Sequence, residues 1–242
     1  MRHISEERRR ATAEAFLAGV SAVKRQAPVK EERSPAELSE RSRKVLFKAA
    51  LEPGVSKVEI YSSLGMHASE GKRALDDLLA RGMVRLHSLA RKGRGGQRQV
   101  VEVLKPGVLE LKRHGLSPAP KKVGRGGFLH DVYAREVERV VKAEGCRQVW
   151  FERKLGEKAF DLVVERSDGD LIGYEICLSG SGELNSGQLL KAAGVAGIAR
   201  VVGCFADRKL MKRCGKALED QDGLGLFRER IELRHLGEFV DG

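Results

Sequence analysis

The sequence has few aromatic residues and no long apolar run. Aromatic residues make up 5% of the 242 residues, with a single tryptophan. The apolar runs reach only about eight residues, far short of the roughly 20 that cross a bilayer. The N-terminus, MRHISEERRRATAEAF, carries charge where a signal peptide has an apolar core. These two features lead us to expect a soluble cytoplasmic protein. The 41% of hydrophobic residues and the chain length are enough for the core of one large domain or of two small ones.

Cysteine is also sparse, and the four cysteines lie far apart. They form no CxxC pair and have no histidine at a spacing typical of zinc ligands: Cys146, Cys177, Cys204 and Cys214. We expect reduced thiols that are mostly buried.

Acidic residues are scarce in the first half of the chain. Residues 1–128 hold 27 Lys and Arg against 14 Asp and Glu, whereas residues 129–242 hold 18 against 20. The formal net charge of +11 therefore arises from the N-terminal part. This distribution favours binding to a polyanion such as nucleic acid, and the alternative is a solvated basic surface.

The first 40 residues predict an amphipathic helix followed by a linker. Apolar residues recur at helical spacing: Ala13, Phe16, Leu17, Val20 and Val23. This stripe must cover a partner chain, as in a homodimer, or the following domain. The polar segment APVKEERSPAELSE comes next, and Ser34 and Glu37 predict a capping box at its end.

Residues 41–115 contain three short helical segments and two strand-like runs. The helices are LSERSRKVLFKAALE, SKVEIYSSLG with Ser56 as its cap, and HASEGKRALDDLLARG, closed by Gly82. A glycine-rich basic loop joins the two runs in MVRLHSLARKGRGGQRQVVEVL, and KPGVLELKRHG predicts a closing helix. Three helices with tight turns make a helix-turn-helix core. The order helix, helix, helix, strand, wing, strand resembles a winged-helix DNA-binding domain.

This resemblance implies double-stranded DNA as the partner. The third helix would enter the major groove, where residues near its start reach bases or phosphates: Ser69, Lys72 and Arg73. The wing would follow phosphates or enter the minor groove with four cations: Arg91, Lys92, Arg94 and Arg98. The alternative is a winged helix that contacts only proteins.

Residues 116–128 and 129–242 predict a linker and a second domain. LSPAPKKVGRGGF combines prolines, glycines and cations, as a basic flexible linker does. Helical and strand patterns then alternate, which predicts a mixed sheet covered by helices on both faces. The predicted fold is an α+β winged helix followed by an α/β domain. His130, in the first helix of that domain, is expected to pack or cap.

The hairpin AFDLVVERSDGDLIGYEICLS carries two acids within an apolar pattern. Its SDG segment predicts a type I turn with Gly169 in the left-handed conformation, which pairs Arg166 with Asp170. This register places Asp161 opposite Glu175 on one face, where two carboxylates repel unless a cation lies between them. A two-residue turn would instead put the acids on opposite faces.

Two converging acids suit Mg²⁺ or Mn²⁺, because Mg²⁺ takes one or two carboxylates together with waters and phosphate oxygens. A helix with Glu136, a strand with Asp161, a strand with Glu175 and a further helix follow one another over about residues 128–205. This order resembles the PD-(D/E)XK nuclease superfamily. The resemblance implies metal-dependent DNA cleavage, with the three acids as ligands or their supports. The alternative is a pair of exposed acids on a solvated sheet face.

One position departs from the family pattern. Cys177 stands where the E-x-K motif has a lysine, which in the family polarises the attacking water or the scissile phosphate. Lys158, before the aspartate strand, and Lys191, on the next helix, are the candidate replacements. Ser179 and Asn185 are expected to cap that helix, and the alternative is that they contact a phosphate.

Two main functions follow from the sequence, beside a winged-helix regulator whose second domain has an unrelated sensing role or a different α/β fold. One is a metal-dependent DNA nuclease, and the other is a non-catalytic DNA-binding scaffold or transcriptional regulator with a degenerate nuclease fold. The combination of domains is also similar to proteins of mobile elements and of repair or defence systems. That similarity implies a nucleoid-associated protein with further protein partners in a DNA-processing assembly.

Overall fold

The computed structural model describes residues 37–93, 96–116, 126–221, 225 and 227–240. The predicted N-terminal helix, Ser34, Arg94 and most of the predicted linker lie outside these residues. The described residues from Ser39 onward belong to one compact unit. None of the described helices is both long enough and apolar enough to cross a membrane.

The first three helices are α1 (Glu40–Leu51), α2 (Lys57–Ser63) and α3 (Ala68–Ala80). Helix α1 begins later than the predicted capping box at Ser34 and Glu37, because Ser39 accepts the hydrogen bond from the Ser42 amide and is its N-cap. Ser56 caps α2 as predicted, and Glu59 completes a capping box there.

Two antiparallel strands, β1 (Val84–Ser88) and β2 (Gln99–Val103), follow α3, and helix α4 (Lys105–Arg113) closes this part of the chain. The register pairs Val84 with Val103 and Leu86 with Val101. The order and pairing of these elements are those of a winged helix, which confirms this part of the predicted fold.

Helix α3 packs closely on α2 at a glycine. A Cβ on Gly71 would lie 2.3 Å from the Tyr61 ring, so only glycine allows this approach. The rest of the buried face of α3 is Ala74, Leu75 and Leu78. The opposite face, which carries Lys72 and Arg73, is therefore left exposed.

The second part contains a mixed five-stranded sheet in the order β3, β6, β7, β8, β9. Its strands are β3 (Gln148–Phe151), β6 (Leu162–Glu165), β7 (Leu171–Cys177), β8 (Ile198–Phe205) and β9 (Ile231–His235), with a small separate hairpin of β4 (Lys154–Leu155) and β5 (Lys158–Ala159). The pairs β3–β6 and β6–β7 are antiparallel, and β7–β8 and β8–β9 are parallel.

Helices cover both faces of this sheet. They are α5 (Phe128–Ala143), α6 (Gly182–Ala193), α7 (Arg208–Gln221) and the short α8 (Gly237–Val240). One apolar cluster joins α5 and α8 to the sheet, and a second joins α6 and α7 to the other face. The predicted mixed sheet with helices on both faces is observed.

The wing segment packs on the helical layer that contains α5. Leu89 and Val100, at the two sides of the wing, belong to the same buried apolar cluster as Val132 and Tyr133 of α5. The Ala90 amide donates a 2.7 Å hydrogen bond to the Tyr133 hydroxyl. The β1–β2 hairpin is thus joined to the second part of the fold through shared core residues.

Candidate functional site

The hairpin of β6 and β7 has the predicted register. Leu162 pairs with Tyr174 and Glu165 with Leu171, the Arg166 amide donates a 2.9 Å hydrogen bond to the Asp170 carbonyl, and Gly169 has a φ of 92°. The three-residue turn therefore forms, and the alternative two-residue turn does not.

Asp161 and Glu175 line one cleft of about 560 Å³ at the end of this hairpin. Asp161 lies just before β6, where its Oδ2 accepts a 2.7 Å hydrogen bond from the Ile176 amide. This bond fixes the carboxylate next to the β7 residue that follows Glu175. Both acids therefore face the same cleft.

Lys158 lies beside the acid pair. Its Nζ lies 3.0 Å from Oε1 of Glu175, and it also lines the cleft. The contact is an ion pair without good hydrogen-bond alignment. Lys191, the other candidate, is exposed in the last turn of α6 and is not among the residues that line the cleft.

The buried acid pair perturbs the pKa of Glu175. Burial and, to a smaller extent, the nearby Asp161 carboxylate raise the pKa of Glu175 to about 7, although the Lys158 ammonium lowers it. Cys177, at the position of the family's lysine, is a neutral thiol, because burial raises its pKa to about 12. The cleft thus combines one lysine, one acid that titrates near neutrality and one hydrogen-bonded aspartate.

His130 also belongs to this cleft, which sequence reasoning missed. Its Nε2 lies 3.1 Å from Oδ2 of Asp161, and the hydrogen bond to Asp161 raises the pKa of His130 against the opposing effect of burial. A Cβ on Gly126 would lie 2.2 Å from the imidazole, so a glycine is required beside the ring. The one sequence feature that marks His130 as a site residue is its place in the first turn of a helix that begins after a Gly-Gly pair. No spacing in the sequence predicts its contact with Asp161.

The polar lining also includes Glu152, Ser179, and Asn185 and Gln188 of α6. The expected cap at Ser179 is wrong, because Ser181 is the N-cap of α6 and accepts from the Leu184 amide. Asn185 instead donates hydrogen bonds to the Ser179 and Ser181 carbonyls, which holds the loop between β7 and α6.

The structure does not bring Glu136 to the acid pair. Its carboxylate is buried on α5 and bound by Arg98 at 2.8 Å and by Arg139 at 3.1 Å. It is not among the residues that line the cleft. Within the described part of the chain, no group of three or more His, Cys, Asp or Glu side chains is arranged to hold a metal. The predicted metal role of Glu136 is therefore corrected to an internal ion pair.

The predicted DNA-contacting residues fall into two groups. Ser69, Lys72 and Arg73 are exposed on α3, and Lys72 forms an i,i+4 ion pair with Asp76. Arg98 of the wing is less available to DNA, because its guanidinium already pairs with two carboxylates. It lies 2.8 Å from Glu136 and 3.6 Å from Glu59.

The wing residues Arg91 and Lys92 lie beside the second part of the fold. Arg91 donates to the Gly96 carbonyl within the wing, and Arg208 of α7 donates a 3.1 Å hydrogen bond to the Lys92 carbonyl. A Cβ on Gly237 would lie 2.3 Å from the Arg91 backbone, so the start of α8 packs directly on the wing. The wing is held in place by these contacts.

Comparison with known proteins gives little further information. No family model and no curated protein matches the chain. A crystal structure of ZitR from Lactococcus lactis, described as a zinc-responsive MarR family member, is 17% identical, covers 56% of this chain and 92% of that one, and has a TM-score of 0.29. Two mutants of ZitR are each 13% identical and cover 47% of this chain and 75% of theirs, with TM-scores of 0.29 and 0.28. Scores this low carry no argument, so the winged-helix assignment rests on the order and pairing of the elements.

Proposed function

We propose that this protein binds double-stranded DNA through its winged helix, as a scaffold or a regulator of DNA transactions does. The observation that carries this proposal is the face of α3 opposite its buried residues, where Ser69, Lys72 and Arg73 are exposed. The second helix of a helix-turn-helix presents such residues to the major groove. The i,i+4 pair of Lys72 with Asp76 is exposed and weak, so a phosphate can replace the carboxylate.

The test is a salt titration of duplex binding with Lys72→Gln/Arg73→Gln. The log–log salt slope of the binding constant falls by about one unit for each phosphate contact that is lost, so we expect weaker affinity and a shallower slope. Lys142→Gln/Arg147→Gln is the matched control, because it removes two exposed cations that lie outside the winged helix, in the last turn of α5 and just before β3. Equal loss in both variants would contradict a specific role for α3.

A second candidate function is metal-dependent cleavage of the phosphodiester backbone in the cleft. The observation that favours it is the Lys158 ammonium 3.0 Å from Glu175, beside Asp161 in the same cleft. This lysine precedes the aspartate strand instead of following Glu175 by two residues, and it provides a cation where the family's lysine would act.

The donor set fits Mg²⁺ in type. Asp161 and Glu175 provide hard carboxylate oxygens, and both line the same cleft. A bound Mg²⁺ would activate water and stabilise charge on the phosphate. In this proposal Asp161 and Glu175 hold the metal, Lys158 orients the phosphate or the water, and His130 holds Asp161.

Plasmid nicking with Mg²⁺ or Mn²⁺ tests this second candidate. We expect cleavage that is lost in Asp161→Asn, Glu175→Gln and Lys158→Met, and retained in Lys191→Gln and in Asp168→Asn at the exposed hairpin tip. Mg²⁺ should also raise the melting temperature of the native protein but not of Asp161→Asn. The absence of cleavage and of any thermal shift would leave DNA binding alone as the proposed function.

A further inference from the structure

Helix α7 carries a row of exposed cations that lies outside both the winged helix and the cleft. The exposed members are Lys209, Lys212, Arg213 and Lys216, at positions i, i+3, i+4 and i+7. This spacing places them on one face, which extends about 10 Å along the helix at 1.5 Å per residue. The opposite face buries Leu210, Cys214, Ala217 and Leu218 against the sheet.

These cations lack the internal partners that other exposed cations have. Lys44, Lys48 and Lys142 each form an i,i+4 ion pair with a glutamate. Across the ranges that the structure describes, no carboxylate lies within ion-pair distance of the four α7 cations. The Glu183 carboxylate does interact electrostatically with Arg213, so the charges of the three lysines are the ones available to an external anion.

The charge order along α7 also opposes the stability of the helix. Cations are favourable near the C-terminus of a helix and acids near its N-terminus. In α7, Arg208 and Lys209 open the helix, whereas Glu219 and Asp220 stand in its last turn. Glu219 has an internal partner in Arg228, whereas the cations at the start of α7 gain nothing from the helix dipole.

The row begins beside the wing. Arg208, the first residue of α7, donates to the Lys92 carbonyl, and Gly237 of α8 packs against the backbone of Arg91 and Lys92. The basic start of the wing and the N-terminal end of α7 are thus in direct contact. A duplex bound at the wing would therefore lie close to the N-terminal end of α7.

We propose that the Lys209, Lys212, Arg213 and Lys216 face of α7 binds the phosphate backbone of the duplex engaged by the winged helix. This inference rests on the proposed DNA binding and extends the contact onto the second part of the fold. Because these are point charges at an exposed surface, the contact adds affinity and salt dependence but reads no bases.

The test compares two variants of the full chain that each lose three positive charges. Lys209→Gln/Lys212→Gln/Lys216→Gln removes three cations of α7, and Lys142→Gln/Arg147→Gln/Arg166→Gln removes three exposed cations that have acidic neighbours. Arg213 is left in place, since its backbone packs against Gly182. Circular dichroism checks that both variants are folded.

We expect the α7 variant to bind a 30-base-pair duplex at least tenfold more weakly, with a salt slope lower by about two to three units. The control variant should stay within about twofold of the native protein. In the native protein, acetylation of the three α7 lysines, measured by mass spectrometry, should fall when the duplex is present.

The outcomes separate this inference from the proposed function. If the Lys72→Gln/Arg73→Gln variant loses binding and the α7 variant does not, the α7 inference is overturned and the winged-helix proposal stands. If the native protein binds no duplex, both fail. Equal losses of duplex binding in the α7 and control variants also overturn the α7 inference.

Discussion

The Arg98 guanidinium lies 2.8 Å from Oε1 of Glu136, and this ion pair joins the strand that leaves the wing to helix α5. The sequence predicted separate external roles for the two residues, Arg98 on DNA and Glu136 on a metal. In the fold the two residues instead pair with each other. The Glu136 side chain is only 9% exposed, and a buried carboxylate needs a cation beside it. Arg139 provides a second one and also binds the Phe239 carbonyl.

Loss of this pair should destabilise the protein. Arg98→Ala leaves the buried Glu136 carboxylate with one cation instead of two, so we expect the free energy of unfolding to fall by about 1 to 3 kcal/mol. Urea denaturation measures this change. Arg85→Ala is the control, because Arg85 is 63% exposed and lies 3.9 Å from Glu102, and it should change stability by less than about 0.5 kcal/mol. If Arg98→Ala leaves the stability unchanged but weakens DNA binding, Arg98 contacts DNA and does not mainly serve the ion pair.

Glu175 should make the native protein less stable as the pH rises. Its pKa is about 7 in the folded state, against 4.5 as the ordinary value, so the folded state binds the proton more tightly than the unfolded state does. Stability is thus lost progressively between about pH 4.5 and pH 7. Glu175→Gln, which mimics the neutral acid, should be more stable than the native protein at pH 8 by on the order of 2 kcal/mol.

Urea denaturation at pH 4.5, 6 and 8 in the presence of a chelator checks this prediction. The advantage of Glu175→Gln should vanish toward pH 4.5. Glu232→Gln, at a carboxylate that is 43% exposed on β9, is the control and should behave like the native protein. A Glu175→Gln variant that is less stable at pH 8 would show that the ion pair with Lys158 outweighs the cost of burial.

His130 should titrate above its ordinary pKa because it donates to Asp161. The raised pKa contributes stability that is present below about pH 6.5 and is lost as the pH rises through the folded-state pKa. Asp161→Asn removes the carboxylate and leaves the opposing effect of burial, so the pKa of His130 should fall. An NMR titration of the imidazole resonances measures it, with Asp168→Asn as the control. An unchanged titration midpoint of His130 in Asp161→Asn would show that Asp161 does not set the pKa of His130.

Gly173 on β7 should tolerate no side chain. A Cβ there would lie 2.4 Å from the Phe160 ring, which is fully buried and directly precedes Asp161. Gly173→Ala should therefore displace this ring and cost about 1 to 3 kcal/mol of stability. Gly187→Ala on α6 is the matched control, because its nearest neighbour would be Gln221 at 3.8 Å, and it should be neutral or slightly stabilising. Equal thermal unfolding of the two variants would contradict the tight packing of Phe160.

Features governed by local chemistry were predicted from the sequence. The SDG turn requires a positive φ at Gly169, and that turn alone sets the register that places Asp161 opposite Glu175. The Ser56 cap and the two strands of the wing follow in the same way from residues close together in the chain. The winged helix and the covered mixed sheet were predictable because hydrophobic period and turn residues specify each element.

The placement of Lys158, His130 and Arg98 was decided only by the tertiary structure. Lys158 reaches Glu175 because the small β4–β5 hairpin turns back beside the cleft. His130 meets Asp161 because the first turn of α5 lies at the end of the β6–β7 hairpin. Arg98 turns inward because the wing packs on α5. Each partner is distant in sequence, and the pattern of one strand or one helix does not record which residue of another element will face it.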